Sequence, residues 1–263
     1  PATILFSDLS GYTAMNETLD PEEVEGIMRR IKERAVEIVE RHGGIVNQFV
    51  GDEVLALFGI AEAHEDDPLR AVQSAIDLHA LARELSPDVE RRIGQPLRMH
   101  TGIHTGLIVT NLRDTRDGRY GITGEAVITG VRLKTEAAPD EILVSSETQK
   151  LIDPYYETEA LPAIKLKGQS RTSVPYRVLK PSAIRSRFEA SVMKGFGRYS
   201  GRQHELQVLD ECLERTICGE GALVTVIGDP GIGKSRMLHE FTARSGHVQI
   251  VIVRGKCQTF AQS

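Results

Sequence analysis

Residues 45–58, IVNQFVGDEVLALF, admit one compact local arrangement. Two β-branched and apolar runs flank Gly51-Asp52-Glu53, and the spacing predicts two strands joined by a tight hairpin. Such a hairpin implies a packed sheet, and it holds two carboxylates at the rim of that sheet. Its neighbours extend the pattern. TILFSDL (3–9) reads as a buried strand that ends in a polar turn. Asp20-Pro21 opens a helix, with Asp as N-cap and Pro at the first helical position. Val24, Ile27, Met28, Ile31, Ile38 and Val39 recur along it at helical spacing, and Gly43-Gly44 stop it. A second helix opens at Asp67-Pro68 and runs to about Leu85, where the periodicity fades. Residues 97–103 and 107–112 read as strands, 113–119 as a polar loop and 124–137 as a third helix. A strand at 142–144, a short helix at 146–152 and closing strands at 164–166 and 176–179 complete the set. Strand, helix, two strands, helix, strand is the order of a ferredoxin-like α/β (α+β) sandwich with a mostly antiparallel sheet.

The chain has 263 residues, room for one large domain or two modest ones. A net charge of -5 gives no electrostatic footing for nucleic acid, and the longest apolar runs fall far short of a bilayer span. Without a signal peptide, a cytoplasmic setting is expected. The three cysteines (Cys212, Cys218, Cys257) lack metal-like spacing and read as reduced thiols. All of them lie beyond residue 200, which divides the chain. Residues 181–195 have the basic, aperiodic composition of a linker between a first domain at 1–180 and a second at 196–263.

The second part carries GDPGIGKS (228–235), a full match to G-x-x-x-x-G-K-[ST]. It follows an expected strand, ALVTVIG (222–228), and opens an expected helix, the context this phosphate-binding loop requires. Gly228, Gly231 and Gly233 let backbone N–H groups curl around a phosphate, Lys234 would reach its outer oxygens, and Ser235 would meet Mg²⁺. Together with GRQHELQVLDECLER (201–215), the segment resembles the entry to signalling NTPases of the AAA/STAND group. No strand ending in Asp or Glu follows to order metal and water, so this partial P-loop α/β module is expected to bind nucleotide without turning it over.

The first part resembles a class III nucleotide cyclase, the family of adenylate and guanylate cyclases. LFSDLSGYT (5–13), GGIVNQFVGDEVLALFG (43–59), AHEDDPLRAV (63–72), GIHTG (102–106), ITGEAVITGVRL (122–133), EILVS (141–145) and YRVL (176–179) carry the likeness in order. It implies that Asp8 and Asp52 hold two divalent ions, Mg²⁺ or Mn²⁺, with the Leu9 carbonyl as a further ligand. The backbone at Ser10, Gly11, Tyr12 and Thr13 would cradle phosphate, and Arg132 would stabilise the transition state. The family's active site forms between two domains packed head to tail, so a homodimer or a heterodimer with another cyclase domain is implied.

Three positions depart from the family. Where it places a ribose-positioning Asn, this chain has Ile128. The base-reading positions, Lys or Glu and Asp or Thr in the family, are Gln48 and Gly121 here. The expectation is slow conversion of ATP to cyclic AMP and pyrophosphate, with GTP as the other substrate to weigh. Its alternative is a catalytically degenerate nucleotide sensor coupled to the NTPase module. Two other clusters invite a metal reading. His100 and His104 share a strand face but are expected to serve the core or a turn. His64-Glu65-Asp66-Asp67 is expected to be the acidic start of a helix. Lys165 and Lys167 read as solvated strand charges.

Overall fold

The computed structural model describes residues 1–111, 120–153, 155–165, 172–182, 199–229, 232–245 and 251–253. The chain divides into two compact units, Pro1–Ala183 and Ile184–Ser263.

In the first unit, β1 (Ala2–Ser10) is central. The short helix α1 (Tyr12–Thr18) and the long α2 (Pro21–Arg41) follow it, then β2 (Ile45–Val50) and β3 (Glu53–Phe58) as the expected hairpin. After α3 (Asp67–Ile93) come β4 (Arg98–Gly106), β5 (Val109–Asn111), β6 (Gly121–Thr123), α4 (Glu125–Glu136), β7 (Ile142–Val144) and α5 (Ser146–Ile152). The unit ends with β8 (Tyr156–Ala160), β9 (Ile164–Lys165), β10 (Thr172–Ser173) and β11 (Tyr176–Pro181). Seven strands form one sheet in the order β2-β3-β1-β4-β7-β11-β8, antiparallel except where β4 meets β7. The first four strands of that order are the ferredoxin-like arrangement expected from the sequence.

One sheet face is covered by α2 and α3. Ile38, Val39, Val72, Ala75 and Leu78 pack there on Leu5, Val54, Ala56, Phe58 and Ile103. On the other face Ile4, Phe6, Leu55 and Leu57 meet Ala126 of α4. Gly130 belongs to the same helix stripe, because a Cβ there would lie 2.9 Å from the Phe6 ring. The backbones of α4 and β4 also touch closely. At Gly102 a Cβ would come 2.2 Å from the Lys134 nitrogen, so only glycine allows the helix to sit this near the strand.

Several boundaries differ from the expectation. Helix α3 continues through Pro87 to Ile93 rather than fading near Leu85. Its extra turns bury Val89 in a cluster with Leu97 and Met99, and the Ser86 hydroxyl accepts the Leu97 N–H at 2.9 Å. Tertiary packing outweighs the local cost of an internal proline. Helix α1 and strands β6, β8 and β10 are additions that the sequence pattern did not mark, all of them short.

A polar chain crosses the apolar interior. His79 Nε2 pairs with Thr101 Oγ1 at 2.8 Å, and Thr101 Oγ1 with Ser7 Oγ at 2.8 Å. Burial, followed by the charges of Arg83 and His100, pushes the His79 imidazole from 6.5 down to about 3. The unfolded chain therefore takes up a proton below 6.5 that the folded chain refuses until about 3, and acid draws the equilibrium toward unfolding. Across that window His79 is expected to remove up to about 1.4 kcal/mol of stability per pH unit. Urea titrations between about pH 6.5 and 4 should show a shallower loss in His79→Gln than in wild type.

In the second unit, α6 (Gln203–Ile217) and α7 (Lys234–Arg244) bury Leu206, Leu209 and Met237. The expected strand over 222–228 does not form, and Leu223 and Ile227 are exposed. A central strand must pair its N–H and C=O groups on both sides, and no described residue pairs with this segment. Cys212 and Cys218 are free thiols. Gly231, Lys167, Cys257 and nearly all of the expected linker lie outside the described residues, as does the side chain of Lys165. Among the described residues no helix is long and apolar enough to cross a membrane.

Candidate active site

Antiparallel pairing of β1 with β3 in the register Ser7↔Val54 carries the end of β1 to the hairpin turn. There Asp8 meets Asp52. Burial first, and the negative charge of Asp8 second, push the Asp52 carboxyl up to about 6. Two carboxylates held against each other in a half-buried rim are a site for positive charge. On the other side of β1, Asp8 pairs in register with His100. His100 Nε2 lies 3.7 Å from Asp8 Oδ2, and its Nδ1 is 3.2 Å from Ser10 Oγ. His100 is thus attached to the carboxylate rim, which corrects its assignment to the core or a turn. Burial chiefly holds its pKa below the usual histidine value, against the pull of Asp8, so it is neutral near pH 7. His104 does serve the core, with Nδ1 2.8 Å from Ser145 Oγ.

The sequence reading placed Glu53 at the rim beside Asp52 but missed its partner there, Lys134. Lys134 Nζ donates to Glu53 Oε2 at 2.7 Å and to Asp8 Oδ2 at 3.3 Å. Burial by itself would lower the Lys134 pKa, but the hydrogen bonds and charges of Glu53 and Asp8 outweigh it and hold the ammonium above its usual value. The signal was present in the sequence as the spacing of Ala126, Gly130 and Lys134, four residues apart and hence on one helix face.

Arg132 and Ile128 occupy a different face. Arg132 precedes Lys134 by two residues, about 200° around the helix. Ile128 is 51% exposed. These two expected site residues therefore do not converge on Asp8 and Asp52 within the chain. Leu9 is buried through its side chain and follows Asp8 directly, its N–H donating to Asp8 Oδ1 at 3.2 Å. Gly11, with φ 102°, forms the N-cap of α1, so Tyr12 and Thr13 begin a helix right after the carboxylate strand.

The segments that carry Gln48 and Gly121, the expected base-reading positions, are joined by a residue that the sequence reading also missed. Asn47 is buried at the irregularity in the β2–β3 pairing. Its Nδ2 donates to the Tyr120 carbonyl at 3.1 Å, and its Oδ1 accepts the Tyr120 N–H at 2.8 Å. These two hydrogen bonds tie β2 to the residue that precedes β6. Asn47→Ala would strand both Tyr120 groups, a loss of about 1–3 kcal/mol. Urea denaturation should report that destabilisation.

At the phosphate-loop sequence, Gly233 (φ 95°) caps α7. Lys234 Nζ folds back to donate to the carbonyls of Gly228 (2.6 Å) and Asp229 (2.8 Å).

Comparison with known proteins identifies the family of the chain. The profile of the adenylate and guanylate cyclase catalytic domain matches residues 1–179. The chain belongs to that family. A profile of the AAA ATPase domain matches residues 198–263. The adenylyl cyclase CyaB from P. aeruginosa is similar in structure to this cyclase chain, with TM-score 0.63 and 30% identity over 69% of this chain and 95% of that one. The guanylyl cyclase Cya2 is equally similar, with TM-score 0.63, 30% identity and coverage of 69% and 93%. An uncharacterized protein of Rhizobium meliloti (strain 1021) is 30% identical over 92% of this chain, which spans 23% of that relative's length. The receptor-type guanylate cyclase gcy-23 of Caenorhabditis elegans is 26% identical over 59% of this chain, which spans 14% of it. The chain is thus a nucleotide cyclase domain with an AAA-type segment, and it covers a minor part of these longer relatives.

The rim fits the divalent ions that cyclase chemistry uses. Asp8 and Asp52 are hard oxygen donors whose mutual repulsion, visible in the raised Asp52 pKa, a dication would relieve. Among the described residues no three His, Cys, Asp or Glu side chains form a ready-made cage. A pair of carboxylates completed by substrate phosphates and water suits Mg²⁺ or Mn²⁺.

Proposed function

We propose that this chain converts ATP to cyclic AMP and pyrophosphate slowly, at a site built from two cyclase domains. The observation that carries the reading is the buried-rim pair Asp8 and Asp52, with Asp52 pushed up to about 6. Bound divalent ions supply the positive charge that activates the ribose 3′-oxygen and neutralises the triphosphate. Asp8 and Asp52 hold that charge at the end of β1, with the Leu9 carbonyl as a third donor, while the backbone from Ser10 to Thr13 faces the phosphates. Arg132 stabilises charge developing on the α-phosphate.

Because Arg132 lies on a different α4 face from the residue that touches Asp8, a site using both is best met by a second cyclase domain. Its α4 would bring Arg132, and its β2 and β6 would bring Gln48 and Gly121. A homodimer has two such sites, each lacking the ribose anchor at Ile128. A heterodimer with an intact cyclase domain has one complete site on this chain's Asp8 and Asp52. ATP is preferred over GTP because the order of the two modules, a cyclase domain followed by a P-loop segment, resembles that of soluble adenylate cyclases, while a glutamine at position 48 can meet either purine edge. The module at 196–263, joined through a linker at 181–195, binds nucleotide through Lys234 and its neighbours.

A second reading has its own support. Ile128 offers no hydrogen bond to a ribose and is half-exposed, which suits a domain that binds nucleotide without reacting and signals through the P-loop module. The deciding experiment is cyclic nucleotide production by the purified chain with Mn²⁺ and either ATP or GTP. Product that disappears in Asp8→Asn supports the cyclase. Nucleotide binding without product in any variant supports the sensor.

A further inference from the structure

The inward stripe of α4 ends on a charge. Ala126 and Gly130 lie over Ile4 and Phe6, and the next position of the same spacing is Lys134, over Asp8 and Glu53. The close approach at Gly102 holds the backbone of Lys134 against β4, and its side chain reaches Asp8 and Glu53 at the rim. Only 14% of that side chain is exposed.

We infer that Lys134 is a tethered cation that holds Asp8 in the metal-free protein and must release it when a divalent ion binds, so that the chain itself sets its affinity for metal. This rests on the reading of Asp8 and Asp52 as metal carboxylates. Asp8 Oδ1 already accepts the Leu9 N–H, and Oδ2 is the oxygen that Lys134 contacts. That oxygen cannot serve an ammonium and a metal ion equally, since two cations sharing it repel. The two contacts of Lys134 are unequal, 2.7 Å to Glu53 and 3.3 Å to Asp8. The shorter one remains when Asp8 is given up, so Glu53 becomes the resting place of the ammonium. In the absence of metal the same ammonium offsets repulsion among Asp8, Asp52 and Glu53 and keeps the rim assembled. When metal enters, Lys134 swings onto Glu53 alone, and site occupancy depends on free metal over a range shifted upward by the competition.

The test is Mn²⁺ binding by the full chain without nucleotide, followed through the electron paramagnetic resonance signal of free Mn²⁺. Lys134→Met is expected to bind Mn²⁺ about tenfold more tightly than wild type, within the usual range for coupled sites, and Asp8→Asn to lose binding. Equal affinities in wild type and Lys134→Met, with binding still lost in Asp8→Asn, would overturn the competition and leave the metal reading standing. No binding in either wild type or Lys134→Met would overturn both. Wild type gives an independent readout that needs no substitution at Lys134. Acetylation of its amine, followed by mass spectrometry, should be slow without Mn²⁺ and several-fold faster at saturating Mn²⁺. An unchanged rate would sink the inference.

Discussion

Asp8→Asn should reduce metal-dependent cyclic nucleotide formation by about three orders of magnitude, the scale expected when several kcal/mol of charge stabilisation is lost. The variant keeps the shape of the side chain at the end of β1 and removes its charge. Three consequences separate this from general damage. Relieved of a neighbouring negative charge, Asp52 should titrate nearer the ordinary carboxylate value, because the Asp8 charge is the second cause of its shift. Lys134 should keep its shorter bond to Glu53 and lose its ion pair with position 8. Thermal stabilisation by Mn²⁺, expected in wild type, should vanish. Product assays and melting curves with and without Mn²⁺ check all of this on one preparation. Activity retained near the wild-type level would remove the metal role of Asp8 and with it the proposed mechanism.

Ile128→Asn is the opposite kind of experiment, an expected gain. Its side chain is half in solvent on the face of α4 away from Asp8, so the exchange should cost the fold little; Asn and Ile differ by only a few tenths of a kcal/mol in a helix. What it adds is a donor and an acceptor four residues before Arg132, on the same face. One well-placed hydrogen bond made in the transition state is worth roughly 10²–10³ in rate. A rise of that order in kcat, with KM little changed, is the expected outcome for a homodimer in which the ribose anchor is the missing part. No rise, with Asp8-dependent product still present, would place the anchor on a different partner and favour the heterodimer. No product in any background would leave the sensor as the better account.

The expected strands and helices of the first unit arise from local causes, and those were legible. Alternation and β-branched runs marked β1 to β4, and Asp20-Pro21 and Gly43-Gly44 bounded α2. The Gly51-Asp52-Glu53 turn fixed the hairpin and, through its register with β1, the meeting of Asp8 and Asp52. What failed was decided at a distance. Helix α3 outran its periodicity because Val89 finds a pocket beside Leu97 and Met99. The apolar run at 222–228 reads as a strand by composition, yet strand pairing is a property of two segments, and no described residue supplies the second.

The site divides along the same line. The order of motifs in the sequence pointed to the cyclase domain that the family match bears out, and it made Asp8 and Asp52 the expected metal carboxylates and Ile128, Gln48 and Gly121 the expected weak points in reading ribose and base. Only the tertiary structure decided who stands beside those carboxylates. Lys134 and Glu53 are 81 residues apart in the chain but 2.7 Å apart in space. Asn47 and Tyr120 meet through two hydrogen bonds across 73 residues. A lysine four residues past a helix glycine is a solvated charge in most sequences. Here the contact of α4 with Gly102 and Phe6 carries it to the carboxylate rim, because charge finds its partner through the packing of the elements and not through the order of the residues.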